Sequence, residues 1–275
     1  VFTYMGIEHQ ERSGLDMCRN ITVITICFNS GETIRRTFNS VLRQTSLPKE
    51  YVVVDGGSTD ATVSIIQAYE KLFTDSGVDF KWVSEKDNGL YDAMNKGVRM
   101  ASGVWAHFLN SDDYYVNEYV LETVKPYLLR TEAAVVYGRT ICIHDRIHSV
   151  MPDIKEDKLR LNMLLGCPVQ QPASFYRVSL FVEERYRFDT SYKISADYKL
   201  FVELIQAQVG FLFMPVFVTC FSETGISSVH REDLAREEDL HLLRVRVVSM
   251  LLVRSKGCRP LYKSILLCIQ MLSKL

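Results

Sequence analysis

The residues best suited to chemistry are acidic, and the sharpest group is the adjacent pair Asp112–Asp113. Two neighbouring carboxylates repel each other, so placing them at a strand end is costly unless a cation lies beside them. Mg²⁺ or Mn²⁺ suits such a pair, because a hard divalent ion takes few carboxylates and keeps its other positions for substrate phosphates and water. The pattern predicts a metal site at Asp113, with Asp112 close by. The alternative interpretation is a solvated turn.

The loop Asp55–Asp60 is a second candidate, because it follows a buried strand. Its two glycines permit positive φ angles and a close approach of the backbone to a ligand. The Asp55 carboxylate can accept a hydrogen bond from a nucleobase imide N–H. The alternative is a plain turn in which Asp60 is only a helix N-cap, and for Asp60 we expect the cap.

A third group lies where a charged, glycine-containing loop meets a helix. Lys86 in this loop could meet a phosphate or a base, and Asp92 and Asn95 lie about one helical turn apart on one face. A solvated helix start is the alternative. Asp197, in the second half of the chain, opens another predicted helix. A lone carboxylate brought to a cleft by a separate segment suits a general base, whereas the plain interpretation is a first-turn acid stabilised by the helix dipole.

These residues must be positioned by alternating strands and helices. The short, β-branched run Ile21–Phe28 is typical of a strand buried on both faces of a parallel sheet. The alternation predicts an α/β fold with a mostly parallel, twisted sheet and helices on both faces. Ligands bind beyond the carboxyl ends of such strands, so the polar residues there should share one rim: Asn29, Asp55, Asp87, Asp112 and Asp113. Four strands are predicted in this half, at 21–28, 51–54, 80–84 and 104–109.

Beyond residue 126 the alternation weakens. We expect strands at 135–143 and 173–176 and helices at 157–165 and 196–206. The uncharged run 204–222 reads as a helix end followed by a buried strand, and not as a membrane span. The chain is therefore divided into a leader (1–19), a ligand-binding α/β half (20–130), a second half of the same domain (131–230) and C-terminal helices (231–275).

The composition restricts partners and compartment only loosely. A net charge of −1 over 275 residues gives no electrostatic argument for a nucleic-acid partner. The seven cysteines are scattered without metal-ligand spacing, which indicates reduced thiols in a cytosolic protein. The first residues lack the apolar core and cleavage site of a secretory signal.

Taken together, the spaced segments resemble family 2 glycosyltransferases, the large inverting group with the GT-A fold, and particularly their bacterial surface-polysaccharide branch. The resemblance is strong from Ile21 to about Asn117 and continues to about Ser228. The matching segments are Thr25–Asn29, Val54–Asp60, Ser84–Gly97, Phe108–Asp113, and Asp189 through Ala196–Tyr198.

The resemblance implies roles for individual residues of the acceptor-side and donor-side halves. Asp55 would contact the base of a nucleotide-sugar donor, and Asp113, with Asp112, would hold a divalent metal against the diphosphate. Asp197 matches the position of the catalytic base, although the family's usual Glu–Asp pair is Ala196–Asp197 here. The other donor-binding candidates in the matching segments are Thr25, Asn29, Ser58, Lys86, Asp87, Asp92 and Asn95.

Two features near the end of the resemblance concern the acceptor. Gly225–Ser228 resembles the family's flexible loop near the acceptor, and His230 just beyond it lies either near the metal or on the surface. After Asp239 there is no acidic residue, and arginines and lysines interleave with apolar residues up to Lys274. Such a segment can lie on an anionic membrane surface, or pack on the domain as a helical pair with solvated arginines.

The reaction implied by the resemblance is sugar transfer with inversion. Asp197 would deprotonate an acceptor hydroxyl, whose oxygen attacks the anomeric carbon while the metal neutralises the departing nucleotide diphosphate. We expect a UDP-sugar donor, a glycan or lipid-linked sugar acceptor, and a role in cell-surface polysaccharide biosynthesis. The expected location is the cytoplasm, with peripheral contact to the inner face of the cell membrane. The alternatives are a sugar nucleotidyltransferase, which usually begins with a glycine-rich basic loop, and a non-catalytic nucleotide-sugar-binding subunit.

Overall fold

A computed structural model describes residues 20–144, 147–150, 153–163, 167–182 and 185–222. The predicted leader and C-terminal helices lie outside these ranges, as do Gly225–Ser228 and His230. The helices are α1 (Ile34–Leu42), α2 (Thr62–Asp75), α3 (Leu90–Met100), α4 (Val120–Leu129), α5 (Glu156–Asn162) and α6 (Ala196–Gln206). The strands are β1 (Ile21–Cys27), β2 (Glu50–Asp55), β3 (Asp79–Ser84), β4 (Trp105–Phe108), β5 (Tyr114–Tyr115), β6 (Val135–His144), β7 (Ile147–Val150), β8 (Ser174–Arg177) and β9 (Phe211–Ser222).

The strands form one nine-stranded sheet in the order β3-β2-β1-β4-β8-β6-β9-β5, with β7 paired to β6. The first four strands run parallel, as predicted. Beyond β4 the sheet is mixed: β8 is antiparallel to both β4 and β6, whereas β6 and β9 are parallel. The predicted α/β fold is thus confirmed, and the carboxyl ends of β1 to β4 meet at one edge.

Helices cover both faces of the sheet because β1 and β2 are apolar on both sides. On one face, α1, α2 and α4 pack against Val23 and Tyr51. On the other face, α3 and α6 pack against Ile24 and Val52. Every residue of both strands is buried. A continuous β-branched run predicts this arrangement, in which one sheet lies between two layers of helices.

One glycine sets the position of α3. A Cβ atom added to Gly97 would lie 2.5 Å from the Ile24 Cγ2 atom of β1, closer than side-chain atoms pack. Only glycine therefore lets the helix lie this close to the sheet. The close approach places the first turn of α3, with Tyr91 and Asp92, at the carboxyl edge of the sheet.

The elements of the second half agree in kind with the predictions. The helix predicted over 196–206 is α6, and the uncharged run after it forms β9 as expected. Among the described residues, no helix has the length and apolar character needed to cross a membrane. Of the seven cysteines, four are described, and none of these four is in a disulfide, as predicted: Cys27, Cys142, Cys167 and Cys220.

A buried histidine ties β4 to the chain segment that precedes β8. His107 is fully buried, and its ring stacks on Phe175 with the centroids 4.4 Å apart. Its Nδ1 atom lies 2.9 Å from the Tyr115 hydroxyl, and its Nε2 atom lies 2.9 Å from the Pro172 carbonyl oxygen. A neutral ring satisfies both contacts when Nε2 donates and Nδ1 accepts. Burial lowers the pKa of His107 from 6.5 to about 4.

This shift predicts a pH-dependent stability. Because the unfolded chain binds a proton at His107 below pH 6.5 and the folded chain does so only below about pH 4, folding loses stability as the pH falls through this window. The loss near pH 5 is about 2 kcal/mol at about 1.4 kcal/mol per pH unit. Gln in place of His keeps a donor for Pro172 and does not titrate. In urea unfolding, wild type should therefore lose about 2 kcal/mol more than His107→Gln between pH 7.5 and pH 5. Equal losses in the two proteins would contradict the assignment.

Candidate active site

The acidic residues do converge on the carboxyl edge of the sheet. Asp55 ends β2, and Asp112 and Asp113 follow β4. Thr37 of α1 holds the turn after β4, because its hydroxyl lies 3.0 Å from the Ser111 carbonyl oxygen and 2.7 Å from that of Asp113. The chain after β1 is joined to the same turn by the hydroxyls of Ser30 and Ser111, 2.8 Å apart.

Asp113 is the most unusual group at this edge. Its side chain is fully buried, and its Oδ1 atom accepts a hydrogen bond from the Ser222 N–H at 3.2 Å. Its Oδ2 atom is buried without a hydrogen-bond partner among the described residues, as is the Oδ1 atom of Asn110. Burial, together with the Asp112 charge, raises the pKa of Asp113 well above its usual range. An unpaired buried carboxylate oxygen of this kind calls for a cation.

Asp112 adds a second carboxylate beside it. Its side chain is half-buried, and burial raises its pKa as well. Arg36 lowers the pKa values of both aspartates. The Arg36 guanidinium, however, donates to the Asp112 carbonyl oxygen at 2.8 Å and lies over the Tyr114 ring, 4.4 Å from its centroid. Asp112 and Asp113 are thus two adjacent carboxylates, of which a hard divalent ion could take one or both.

The Asp55 carboxylate is occupied by its own loop. It accepts hydrogen bonds from the backbone N–H groups of Gly57 at 3.2 Å and Ser58 at 2.9 Å. The Ser84 hydroxyl donates to it at 2.6 Å, and the Ser58 hydroxyl donates as well. Asp55 is fully buried, so in this arrangement it organises the loop. Direct contact with a base stays a prediction that requires one of these donors to give way.

Two predicted donor-binding residues, Thr25 and Asn95, make hydrogen bonds within the protein. Thr25 is fully buried, and its hydroxyl lies 2.6 Å from the Leu109 carbonyl oxygen and 2.8 Å from the Tyr51 hydroxyl. Asn95 donates to the Phe188 carbonyl oxygen at 2.7 Å and accepts from the Phe188 N–H at 2.9 Å. Their polar atoms already bind within the protein, so contact of these two side chains with a ligand stays a prediction that requires an internal hydrogen bond to give way. They join β1 to the turn after β4, and α3 to the second half.

The remaining candidates border the edge from two loops. Asn29, with a positive φ of 49°, is exposed and accepts the Thr59 N–H at 2.9 Å, and its own N–H donates to Ser58 Oγ at 2.7 Å. Asp60 accepts from the Thr62 N–H and from the Gly31 N–H, both at 2.9 Å, but it was expected to be the N-cap of α2, and that position is held by Ala61. Lys86 is exposed, and Asp87 is half-buried and accepts the Gly89 N–H at 2.8 Å.

An exposed aromatic residue at this edge was missed by the sequence analysis. Phe28, directly after β1, is 61% exposed. A Cβ atom added to Gly56 would lie 3.4 Å from the Phe28 ring and 2.5 Å from the Asp87 carboxylate. Phe28 and Asp87 therefore flank the Asp55 loop, and Gly56 leaves the space between them. An aromatic residue at the end of a buried strand was the available signal.

A cavity opens between α3 and the segment that leads into α6. Its volume is about 220 Å³, and Asp92 on its wall accepts the Asn88 N–H at 3.0 Å. Tyr91 and Ile194 also line the cavity, and the Tyr91 hydroxyl contacts Asp197. The lining residues are Asn88, Gly89, Leu90, Tyr91, Asp92, Thr190, Tyr192, Lys193 and Ile194.

Asp197 lies in the first turn of α6, as predicted. The Tyr91 hydroxyl, which also donates to the Ile194 carbonyl oxygen, lies 3.2 Å from Asp197 Oδ1. Burial raises the pKa of Asp197, and the hydrogen bonds from the Tyr198 N–H and Tyr91 oppose the rise. A carboxylate with a raised pKa is a better proton acceptor than an ordinary one. Tyr91 lies within the matching segment Ser84–Gly97, but the sequence analysis did not single it out.

Comparisons with known proteins identify the family of this chain. The family model for glycosyl transferase family 2 matches residues 22–183. An uncharacterized glycosyltransferase of Mycobacterium tuberculosis is 32% identical over 80% of this chain and 84% of its own length. A putative teichuronic acid biosynthesis glycosyltransferase of Bacillus subtilis, TuaG, is 30% identical over 54% of this chain and 59% of its own length.

A solved structure supports the GT-A fold. S. aureus TarS residues 1–349, crystallised with UDP-GlcNAc, superposes with a TM-score of 0.63 at 20% identity over 85% of this chain and 66% of that one. At this identity the likeness concerns the fold alone. The family match decides against the sugar-nucleotidyltransferase alternative. Because the family model covers more than half of the chain and the Mycobacterium tuberculosis relative is matched over most of its length, this chain belongs to glycosyl transferase family 2 and is a glycosyltransferase.

Proposed function

We propose that the enzyme transfers a sugar from a nucleotide-diphosphate donor, a UDP-sugar, to an acceptor hydroxyl with inversion at the anomeric carbon. One observation carries the proposal: the Asp113 Oδ2 atom is buried without a hydrogen-bond partner among the described residues, beside a second carboxylate. A folded protein tolerates such an atom where a ligand completes it. A divalent cation would neutralise the carboxylates of Asp112 and Asp113, and it could bind a diphosphate at its remaining coordination positions.

The residues that would hold the metal are Asp113, Asp112 and Asn110. Asp113 would contribute its Oδ2 atom and Asn110 its side-chain Oδ1 atom, both of which lack a partner among the described residues. Asp112 is half-buried and could contribute its carboxylate from the solvent side. When bound, Mg²⁺ or Mn²⁺ neutralises charge on the diphosphate leaving group. The Ser222 N–H on Asp113 Oδ1 keeps the other oxygen of the carboxylate in place.

The nucleotide would lie across the Asp55 loop. Phe28 offers an exposed ring on which a base can stack, and the half-buried Ser58 hydroxyl lies beside it. Asn29 supports the same loop through Thr59, and Lys86 is an exposed cation at its rim. Among curated structures of this fold, TarS has been crystallised with UDP and with UDP-GlcNAc, which supports UDP as the first donor to test.

Asp197 would act as the general base. Its raised pKa suits it to take the proton of the acceptor hydroxyl as the oxygen attacks the anomeric carbon. A single displacement of this kind inverts the configuration and needs one base. Tyr91 keeps Asp197 oriented through the 3.2 Å contact, and the position before the base, Ala196, is buried and contributes no acid.

The acceptor is proposed to be a glycan or lipid-linked sugar of a surface polysaccharide. The name of TuaG, a relative in teichuronic acid biosynthesis, supports this class of acceptor. The basic, apolar segment from Arg244 to Lys274 supports contact with an anionic membrane surface, where a lipid-linked acceptor is found. The cavity beside Asp92 and Tyr91 offers room near the base for part of one substrate.

Metal-dependent nucleotide binding tests the site. Calorimetric titration with UDP, GDP and dTDP, with and without Mn²⁺, should show Mn²⁺-dependent binding of UDP by wild type. Asp113→Asn should weaken this binding at least about tenfold, the loss that even outer-shell metal partners cause. Without ligand, Asp113→Asn should be at least as stable as wild type, because it removes a desolvated charge.

The matched control is Asp75→Asn, which makes the same change at an exposed ion pair with Lys71. It should bind UDP as wild type does. Equal, metal-independent binding by wild type and Asp113→Asn would refute the metal site. Binding of none of the three nucleotides would refute the donor class.

The pH dependence of turnover tests the base. Because the Tyr91 hydrogen bond lowers the pKa of Asp197, Tyr91→Phe should raise that pKa further. Turnover then requires a higher pH: the acidic limb of the kcat profile should shift upward, while the rates at alkaline pH converge with wild type. Asp197→Asn should abolish transfer at every pH while sparing UDP binding. An acidic limb that stays in place in Tyr91→Phe, or turnover by Asp197→Asn, would remove Asp197 as the base.

A further inference from the structure

A buried amide, that of Gln171, lies in the segment that precedes β8. Gln171 begins the short 3₁₀ turn Gln171–Ala173 before β8 and is only 6% exposed. Its Nε2 atom is buried without a hydrogen-bond partner among the described residues. A buried donor that lacks a partner destabilises the fold, so native proteins keep such groups mainly where a ligand completes them.

The 3₁₀ turn lies beside the carboxyl end of β4. The pairing of β4 with β8 joins His107 to Phe175 and runs antiparallel, so the chain before β8 continues towards the residues after β4. The contact of His107 Nε2 with the Pro172 carbonyl oxygen fixes the turn at this place. Asn110 and Asp113, with their own unpartnered oxygens, follow β4 directly.

The same segment reaches the proposed base. Val169 and Tyr176 pack in the same buried cluster as Ala196 and Tyr198, the two neighbours of Asp197 in α6. Val169 and Tyr176 flank the turn in the chain, one on each side of Gln171. The turn therefore spans from the surroundings of Asp197 to the end of β4.

We propose that Gln171 donates a hydrogen bond from Nε2 to a hydroxyl oxygen of the transferred sugar, and so contributes to the choice of sugar. This rests on the proposed function. If the diphosphate lies at Asp113 and the base is Asp197, the anomeric carbon must lie between them, and the transferred sugar is the part of the donor that passes this segment. A neutral amide suits a sugar hydroxyl, whereas the diphosphate already has the cation at Asp113.

Such a contact gives selectivity because of its burial. A buried donor that binds a substrate hydroxyl is left unpaired by a sugar that lacks or inverts that hydroxyl, and the site then rejects the analogue. The Nε2 atom of Gln171 makes no hydrogen bond with the described residues, so the described fold does not depend on this donor. Loss of this amide should thus affect ligand binding and leave folding intact.

The test compares Gln171→Met and Gln171→Glu with wild type. Methionine keeps the length of the side chain without the donor, and glutamate replaces the donor with an acceptor. The titrant is UDP with Mn²⁺, followed by UDP-GlcNAc, UDP-glucose and UDP-galactose. For the sugar that wild type binds best, Gln171→Met should bind the UDP-sugar about tenfold more weakly and UDP within about twofold of wild type. Gln171→Glu should lose more.

Thermal unfolding without ligand supplies the second readout. Gln171→Met should be at least as stable as wild type, because removing a buried unpaired donor does not cost a hydrogen bond. Lower stability together with unchanged UDP-sugar affinity would overturn the proposal and make Gln171 a structural residue. Equal losses for UDP and UDP-sugar would also overturn it, since they would place the amide on the nucleotide. Wild type that binds none of these ligands would refute the donor class instead.

Discussion

The structure depends on an unbalanced carboxylate at the carboxyl end of β4. Asp113 is fully buried, has the charge of Asp112 beside it, and leaves one oxygen atom without a partner among the described residues. Burial of the Asp113 carboxylate without a partner lowers the folding stability of the ligand-free protein, and a bound cation would offset this loss. The proposed cation would therefore stabilise the folded protein when it binds at Asp113.

Hydrogen bonds between distant segments hold that carboxylate and the base in fixed relation. Thr37 fastens the turn around Asp113 to α1, and Ser222 fastens it to the end of β9. Asn95 clamps α3 to Phe188 through both of its amide atoms. Tyr91 then reaches from α3 to Asp197. These hydrogen bonds fix the positions of the proposed metal site and the proposed base relative to each other, as preorganised catalysis requires.

Much of the first half could be predicted from sequence, because a parallel strand that is buried on both faces has an unmistakable composition. The run that forms β1 shows this, and topology alone brought Asp55 and Asp113 to one edge. Strand order in the second half could not be predicted. The insertion of β8 between β4 and β6 depends on pairing between distant segments, which leaves no local periodicity.

Side-chain direction was the other limit. Thr25 and Asn95 lie in segments that match the family, yet their polar atoms point into the protein and bind Leu109 and Phe188. Phe28 was passed over because an apolar residue after a strand is usually buried, whereas here it is 61% exposed. Gln171 gave no signal, since a missing hydrogen bond is visible only once neighbouring chains are in place.

The most direct test of the central claim is anomalous diffraction from crystals grown with UDP and Mn²⁺. The account predicts one manganese peak within direct coordination distance of Asp113 Oδ2 and of the UDP diphosphate. Bound UDP with no manganese at Asp113, or with manganese held by other residues, would contradict it.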